Sequence, residues 1–201
     1  MTNDTEIHRE KMQAVKAAHL ARVKQNKKAD RGLLMVHTGE GKGKSTAAYG
    51  TVLRALGWGH DVAIVQYVKG TWKTGEKEFF KLFPGLVRFE VMGQGFTWET
   101  QDKQRDIDAA EKAWAMSCGL MNSGDYDLVV LDELNIVLRD HYLDAGKVTE
   151  ALLNRHNRTT VIVTGRNAPE GLLSAADLVT TMTKVKHPFD AGIKAARGID
   201  F

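Results

Sequence analysis

Four short stretches of this chain hold residues whose types and spacing could handle a phosphorylated ligand. The first, GLLMVHTGEGKGKST (residues 32–46), closes on the glycine-lysine-hydroxyl signature of a phosphate cradle. Gly39, Gly41 and Gly43 permit left-handed turns that aim successive backbone N–H groups at one anion. A helix starting near Lys44 adds its positive end and its free amides. Lys42 and Lys44 add charge, the Ser45 hydroxyl is placed to hold Mg²⁺, and Thr46 completes the run. Two features are irregular. The usual pattern begins with glycine where this chain has Thr38, and Glu40 puts a carboxylate inside a polyanion site. That carboxylate must point away or meet a cation such as Lys42.

The second stretch, DLVVLDE (127–133), is an apolar run ending in Asp132 and Glu133. Carboxylates there can complete a Mg²⁺ shell, because hard cations take oxygen ligands. Acids capping a helix are the plainer alternative. The third, VIVTGRNAPEG (161–171), delivers Arg166 after another apolar run. A guanidinium can clamp a terminal phosphate in a fork of two hydrogen bonds; the alternative is a solvent-facing arginine before a helix started by Pro169. In the fourth, MGQGFTWETQ (92–101), Phe96 and Trp98 follow Gly93 and Gly95. Large aromatics on a glycine-hinged loop suggest a flat apolar ligand or a lid, with ordinary core packing as the competing reading.

The elements that must position these residues are legible in the apolar pattern. Runs at 33–37, 62–68, 87–91, 128–131, 160–164 and 178–182 are β-branched and nearly continuous, as strands buried on both faces should be. Helical segments lie between them. In 100–122, Ile107, Ala110, Trp114, Cys118 and Met121 recur three and four apart, which makes Cys118 a packed thiol rather than a reactive one. The alternation predicts an α/β fold: a single doubly wound, mostly parallel sheet of about six strands, with ligands at the carboxyl ends. Residues 1–31 form a polar, basic N-terminal arm, either a mobile segment that becomes helical against a partner or a solvated tail. Residues 32–201 form the body.

Composition bounds the function. The 201 residues are long enough for one sizeable α/β core, and no apolar run is long enough for a membrane span. The N-terminus lacks a signal-peptide core, so a cytoplasmic location is expected. One cysteine excludes an internal disulfide framework and a cysteine-rich zinc site. The net charge of +3 is unevenly placed: residues 1–31 carry +4 and residues 32–201 carry −1. A nearly neutral body argues against nucleic acid as partner.

Taken together, TGEGKGKSTAAYGT, VQYVKGTWKTGE, MGQGFTWETQ, VVLDELN, VIVTGR and the tail VKHPFDAGIKAARGIDF resemble the ATP:corrinoid (cob(I)alamin) adenosyltransferases of the BtuR/CobA type. These segments run in order from residue 33 to 201, and FTWET and the tail are far more specific than the phosphate loop. The resemblance implies a P-loop, RecA-like domain that transfers the 5′-deoxyadenosyl group of ATP to a reduced corrinoid and releases triphosphate. It implies ATP held in a reversed sense by Thr38, Gly39, Gly41, Lys42, Gly43, Lys44, Ser45, Thr46 and Arg166. It implies Mg²⁺ (or Mn²⁺) on Ser45, Glu133 and Asp132, with catalytic roles for Lys44, Arg166, Phe96 and Trp98. The two aromatics would wedge against the lower face of the corrinoid and leave a four-coordinate cobalt. Cobalamin, cobinamide or an earlier intermediate would be the acceptor, a flavodoxin-type protein the electron donor, and a homodimer the assembly. Family members commonly have Asn at the position of Glu40 and Thr at that of Ser45. A nucleoside-kinase-like phosphotransferase is the rival enzyme, and an ATP-dependent interaction protein the rival from another class.

Overall fold

In the computed structural model, residues 2–26, 30–68, 73–92 and 103–201 are described. The chain divides into two compact units, 1–30 and 31–201. Within the first, Thr2–Gln25 is one continuous helix, α1, with Ile7, Met12, Val15, Leu20 and Val23 exposed.

The second unit is a parallel six-stranded sheet between helices. The strands are β1 (Leu34–Thr38), β2 (Val62–Gln66), β3 (Val87–Val91), β4 (Leu128–Asp132), β5 (Thr160–Thr164) and β6 (Leu178–Thr181). They lie in the order β3-β2-β4-β5-β1-β6, and every pairing is parallel. All six expected runs are strands; the run expected over 62–68 stops at Gln66. One strand, β5, separates the strand that feeds the cradle from the strand that ends in Asp132.

Alternation across the central strands feeds two cores. Val62, Ile64, Leu128, Val130 and Ile162 pack with Ala48, Tyr49 and Val52 of α2 (Lys44–Leu56) and with Phe80 of α3 (Gly75–Phe80). The intervening Ala63, Val65, Val129, Leu131 and Val163 pack on the other face. Their partners come from α4 (Lys103–Asn122), α5 (Leu134–Arg139), α6 (Ala145–Leu153) and α7 (Glu170–Ala175). Each fully buried Val, Leu or Ile contributes about 1.5–3 kcal/mol, which explains why these strands read as unbroken apolar runs.

The α4 stripe is rotated from the expected one. Ala110 and Met121 are buried, but Ala113, Ser117 and Leu120 complete the covered face while Ile107, Trp114 and Cys118 are only half-buried. The Ser117 hydroxyl bonds Tyr67 Oη at 2.7 Å and donates to the Ala113 carbonyl at 2.8 Å, so a polar residue sits in the stripe without cost. Burial raises the Cys118 thiol above its ordinary range, which agrees with packing rather than reactivity.

Register decides what meets at the carboxyl edge. Gln66 pairs with Asp132, and Leu131 with Val163, so Asp132 stands between the last residues of β2 and β5. His37 pairs with Thr164, which brings the end of β1 to the same edge.

Candidate active site

The loop after β1 owes its shape to a few backbone positions. Gly39 has φ 96° and Gly43 φ 113°, conformations that side chains rarely adopt. A Cβ on Gly39 would come within 2.4 Å of the Met182 carbonyl, and one on Gly41 within 2.7 Å of the Thr183 carbonyl. The loop is stitched to the segment after β6, with Met182 N–H donating to the Thr38 carbonyl at 2.8 Å and Gly41 N–H to the Met182 carbonyl at 2.7 Å. Thr38 itself needs no left-handed backbone, because Gly39 takes that turn. Its hydroxyl instead accepts from Ala168 N–H at 3.1 Å, tying the cradle to the loop after β5.

Gly43 caps α2, so the first amides of that helix face the loop. The Lys44 ammonium donates to the Gly39 and Gly41 carbonyls at 2.8 and 2.7 Å. Burial pushes it below the usual lysine range; Glu133 pulls it back and Arg166 pushes it further. Lys42 reaches Asp200 in the C-terminal tail. The carboxylate of Glu40 meets a cation, but that cation is Arg166, at 3.2 Å, rather than Lys42.

Across the cavity, β4 presents Asp132 and Glu133 in different states. Asp132 Oδ1 accepts from Thr164 Oγ1 at 2.8 Å, and Oδ2 accepts from Tyr49 Oη at 2.8 Å and Gln66 Nε2 at 3.3 Å. Burial and the Asp132 charge raise the Tyr49 hydroxyl well above its ordinary range, so it stays a donor. Glu133 adopts φ 62°, which sends its N–H to Thr164 Oγ1 at 2.9 Å and sets its side chain against Gly165. Glu133 Oε2 is buried with no hydrogen-bond partner, the only carboxylate oxygen so placed among the described residues. Burial, followed by the Asp132 charge, pushes this carboxyl up to about 7, against the pull of Lys44 and Arg166. A left-handed non-glycine residue costs on the order of 1–3 kcal/mol and marks positions held by their surroundings. Asn167, next to Arg166, is a second, with φ 55°.

Gly41, Lys42, Gly43, Lys44, Ser45, Thr46, Asp132, Glu133 and Arg166 thus line one cavity of 630 Å³. Thr38 and Gly39 lie behind it as anchor and turn. Phe96 and Trp98 fall outside the described residues. Four contributors escaped sequence reading: Tyr49, Gln66, Thr164 and Asp106 of α4, whose buried carboxylate forms part of the wall. Gln66 and Thr164 end central strands and were findable on that ground; Tyr49 and Asp106 carry no sequence signal. A second hollow of 360 Å³ shares Lys42, Gln66 and Asp200 and is walled by tail residues His187, Phe189 and Phe201.

The cavity thus joins a glycine-shaped loop and helix N-terminus, the cations Lys42, Lys44 and Arg166, and a buried carboxylate oxygen with no hydrogen-bond partner. Residues 30–201 match the family model described as ATP:corrinoid adenosyltransferase BtuR/CobO/CobP. The chain is 50% identical over 194 residues to a corrinoid adenosyltransferase of Pseudomonas aeruginosa, covering 96% of this chain and 95% of that one. It is 42% identical over 196 residues to the corrinoid adenosyltransferase of Escherichia coli K12, and 43% over 196 residues to the corrinoid adenosyltransferase CobA of Salmonella typhimurium, each covering 98% of both chains. The strand-loop-helix cradle and the end-to-end similarity lead to one conclusion: the chain belongs to the ATP:corrinoid adenosyltransferase family.

Proposed function

We propose that this protein moves the 5′-deoxyadenosyl group of ATP to the cobalt of a reduced corrinoid and releases inorganic triphosphate. Cobalamin, cobinamide or an earlier biosynthetic intermediate would be the acceptor. The observation that carries the reading is a preformed polyphosphate cradle facing an unpartnered buried oxygen of Glu133, in a chain similar to corrinoid adenosyltransferases from end to end.

One-valent cobalt is itself the nucleophile, so the protein need supply none. Its electron pair forms the Co–C5′ bond as the C5′–O bond breaks, and the departing triphosphate keeps that bond's electrons. Negative charge therefore grows on an oxygen inside the cradle. Preorganised amides of the loop and of α2 would stabilise such charge, and Lys44, held at the loop by the Gly39 and Gly41 carbonyls, would add its positive charge nearby. Arg166 would hold the far phosphate. Ser45 and Glu133 would hold Mg²⁺, or Mn²⁺, and that ion would supply charge neutralisation on the leaving group. Both oxygens of Asp132 already accept hydrogen bonds, so Asp132 would act beside the metal site rather than as a direct ligand. Phe96 and Trp98, apolar and without ligand atoms, would keep the lower cobalt face free of donors so that the two-valent corrinoid can be reduced. Residues 1–31 would be an arm with a part in the transfer step, a homodimer the assembly, and a flavodoxin-type protein the reductant. A cytoplasmic role in adenosylcobalamin formation and salvage follows from these assignments.

The deciding experiment is anaerobic incubation with ATP, Mg²⁺ and chemically prepared cob(I)alamin. A light-sensitive cobalt–carbon product and stoichiometric triphosphate are expected. ADP with a phosphorylated acceptor would establish the phosphotransferase instead. Phe96→Ala and Trp98→Ala should lose most activity when the reaction starts from two-valent corrinoid with a reductase, and little with prepared cob(I). Equal loss in both assays would remove the wedge role.

A further inference from the structure

One residue of the cradle opposes the cradle's task. Glu40 lies between Gly39 and Gly41, in the loop shaped to wrap a polyanion, yet its carboxylate is 3.2 Å from an Arg166 guanidinium nitrogen. Lys42 is matched by the distant tail through Asp200, and Lys44 by backbone carbonyls. Arg166 alone among these three cations is paired with an anion that the loop itself supplies. Both side chains of that pair are about half exposed, 49% and 52%, so the contact is readily broken and remade.

The chemistry gives such a contact a use. In ATP the oxygen joined to C5′ is esterified; in free triphosphate it carries charge. A cradle that stabilises charge growing on that oxygen therefore grips the product more firmly than the substrate. We propose that Glu40 is an internal competitor for the terminal phosphate at Arg166, and that it weakens the hold on triphosphate so that the product leaves. The inference rests on the adenosyl-transfer reading above, in which triphosphate is the product. Uniform weakening at the far phosphate also loosens ATP, which costs nothing once ATP exceeds its KM.

The test is calorimetric titration of inorganic triphosphate, with Mg²⁺ present, into the unaltered protein and into Glu40→Gln and Glu40→Asn. Removing one like charge at contact range should tighten triphosphate binding about three- to ten-fold at low ionic strength. The gain should shrink at high ionic strength, which a purely structural effect would not do. Two variants of different size guard against a folding artefact, and their thermal midpoints should match the unaltered protein. In the free protein the Arg166 side-chain NMR signal should move on Glu40→Gln, and saturating triphosphate should bring both proteins to one common position. Unchanged affinity in both variants, a salt-independent gain, or an unmoved Arg166 signal would overturn the proposal. Absence of triphosphate binding to the unaltered protein would overturn the underlying reaction, a result distinguishable from the others.

Discussion

Thr38 replaces a consensus glycine by moving the work elsewhere. The turn falls on Gly39, and the threonine hydroxyl anchors Ala168 N–H, which keeps the cradle and the Arg166 loop in one frame. Thr38→Gly should therefore destabilise, although it restores the consensus. A lost hydrogen bond and added backbone freedom together cost about 1–2 kcal/mol, a fall of roughly 2–8 °C in the thermal midpoint for a domain of this size. A midpoint that rose would refute the anchor role. Glu133 is the complementary case, a residue costly to the fold and useful to the site. Glu133→Gln removes a desolvated charge while keeping shape, so the midpoint should hold or rise. Mg²⁺-dependent ATP affinity should fall about 10- to 100-fold, with ATP binding in chelator unaffected. Equal loss with and without Mg²⁺ would show that Glu133 is no metal ligand. At this scale the sequence exposed the cations and carboxylates because motif spacing depends on them. It could not expose the Glu40–Arg166 pair, which is made by two strand exits 126 positions apart in the numbering, nor the Tyr49 bond to Asp132, which depends on α2 packing.

Elements were legible where burial is two-sided. The central strands β1, β2, β4 and β5 could be read because apolar side chains fill both faces, leaving little polar alternation to misplace. Strands β3 and β6 were legible from their β-branched runs alone. The α4 face was read with an error of phase, because Ser117 hides a core position behind a hydroxyl satisfied within the helix and by Tyr67. The edge strand β6, exposed along its length, depends more on a polar clamp than on burial. Asp177, just before it, accepts from Arg31 at 2.6 and 2.8 Å and from Leu34 N–H, the first amide of β1, at 2.8 Å. The Arg31 hydrogen bonds, then the Leu34 amide, hold the Asp177 carboxyl down at about 2. A carboxyl depressed by folding stabilises fully above its unfolded pKa, near 3.8, and that contribution is lost as pH falls towards 2. Asp177→Asn should cost about 1–2 kcal/mol at neutral pH, discounted for the exposed arginine. In urea melts the gap between the two proteins should close between pH 4 and pH 2. A gap that persists at pH 2 would assign the cost to altered packing rather than to the charge.

At the scale of the whole molecule, the cores and the cradle belong to one unit and the basic helix to the other. Every residue of both buried clusters lies within 31–201, as do all the described residues lining the polyphosphate cavity. Stability and nucleotide binding should therefore survive removal of residues 1–30, whereas the rate of corrinoid chemistry tests the proposed part of the arm in transfer. The shortened protein is expected to unfold in a single transition within about 2–4 °C of the full chain, a shift equivalent to some 1 kcal/mol. Its affinity for triphosphate should be unchanged. No residue of 1–30 is among the described residues that line the cavity, so removing that segment takes no contact from the phosphate loop. Under the proposed part of the arm in the transfer step, the rate of adenosyl transfer from prepared cob(I)alamin should nonetheless drop several-fold. These readouts separate the roles of the helix. Loss of cooperative folding would make it part of the core; loss of triphosphate binding would make it part of the cradle. An unchanged transfer rate would leave it with no part in the reaction, and a lowered rate on an intact fold with intact triphosphate affinity is the result that gives it a part in the transfer step.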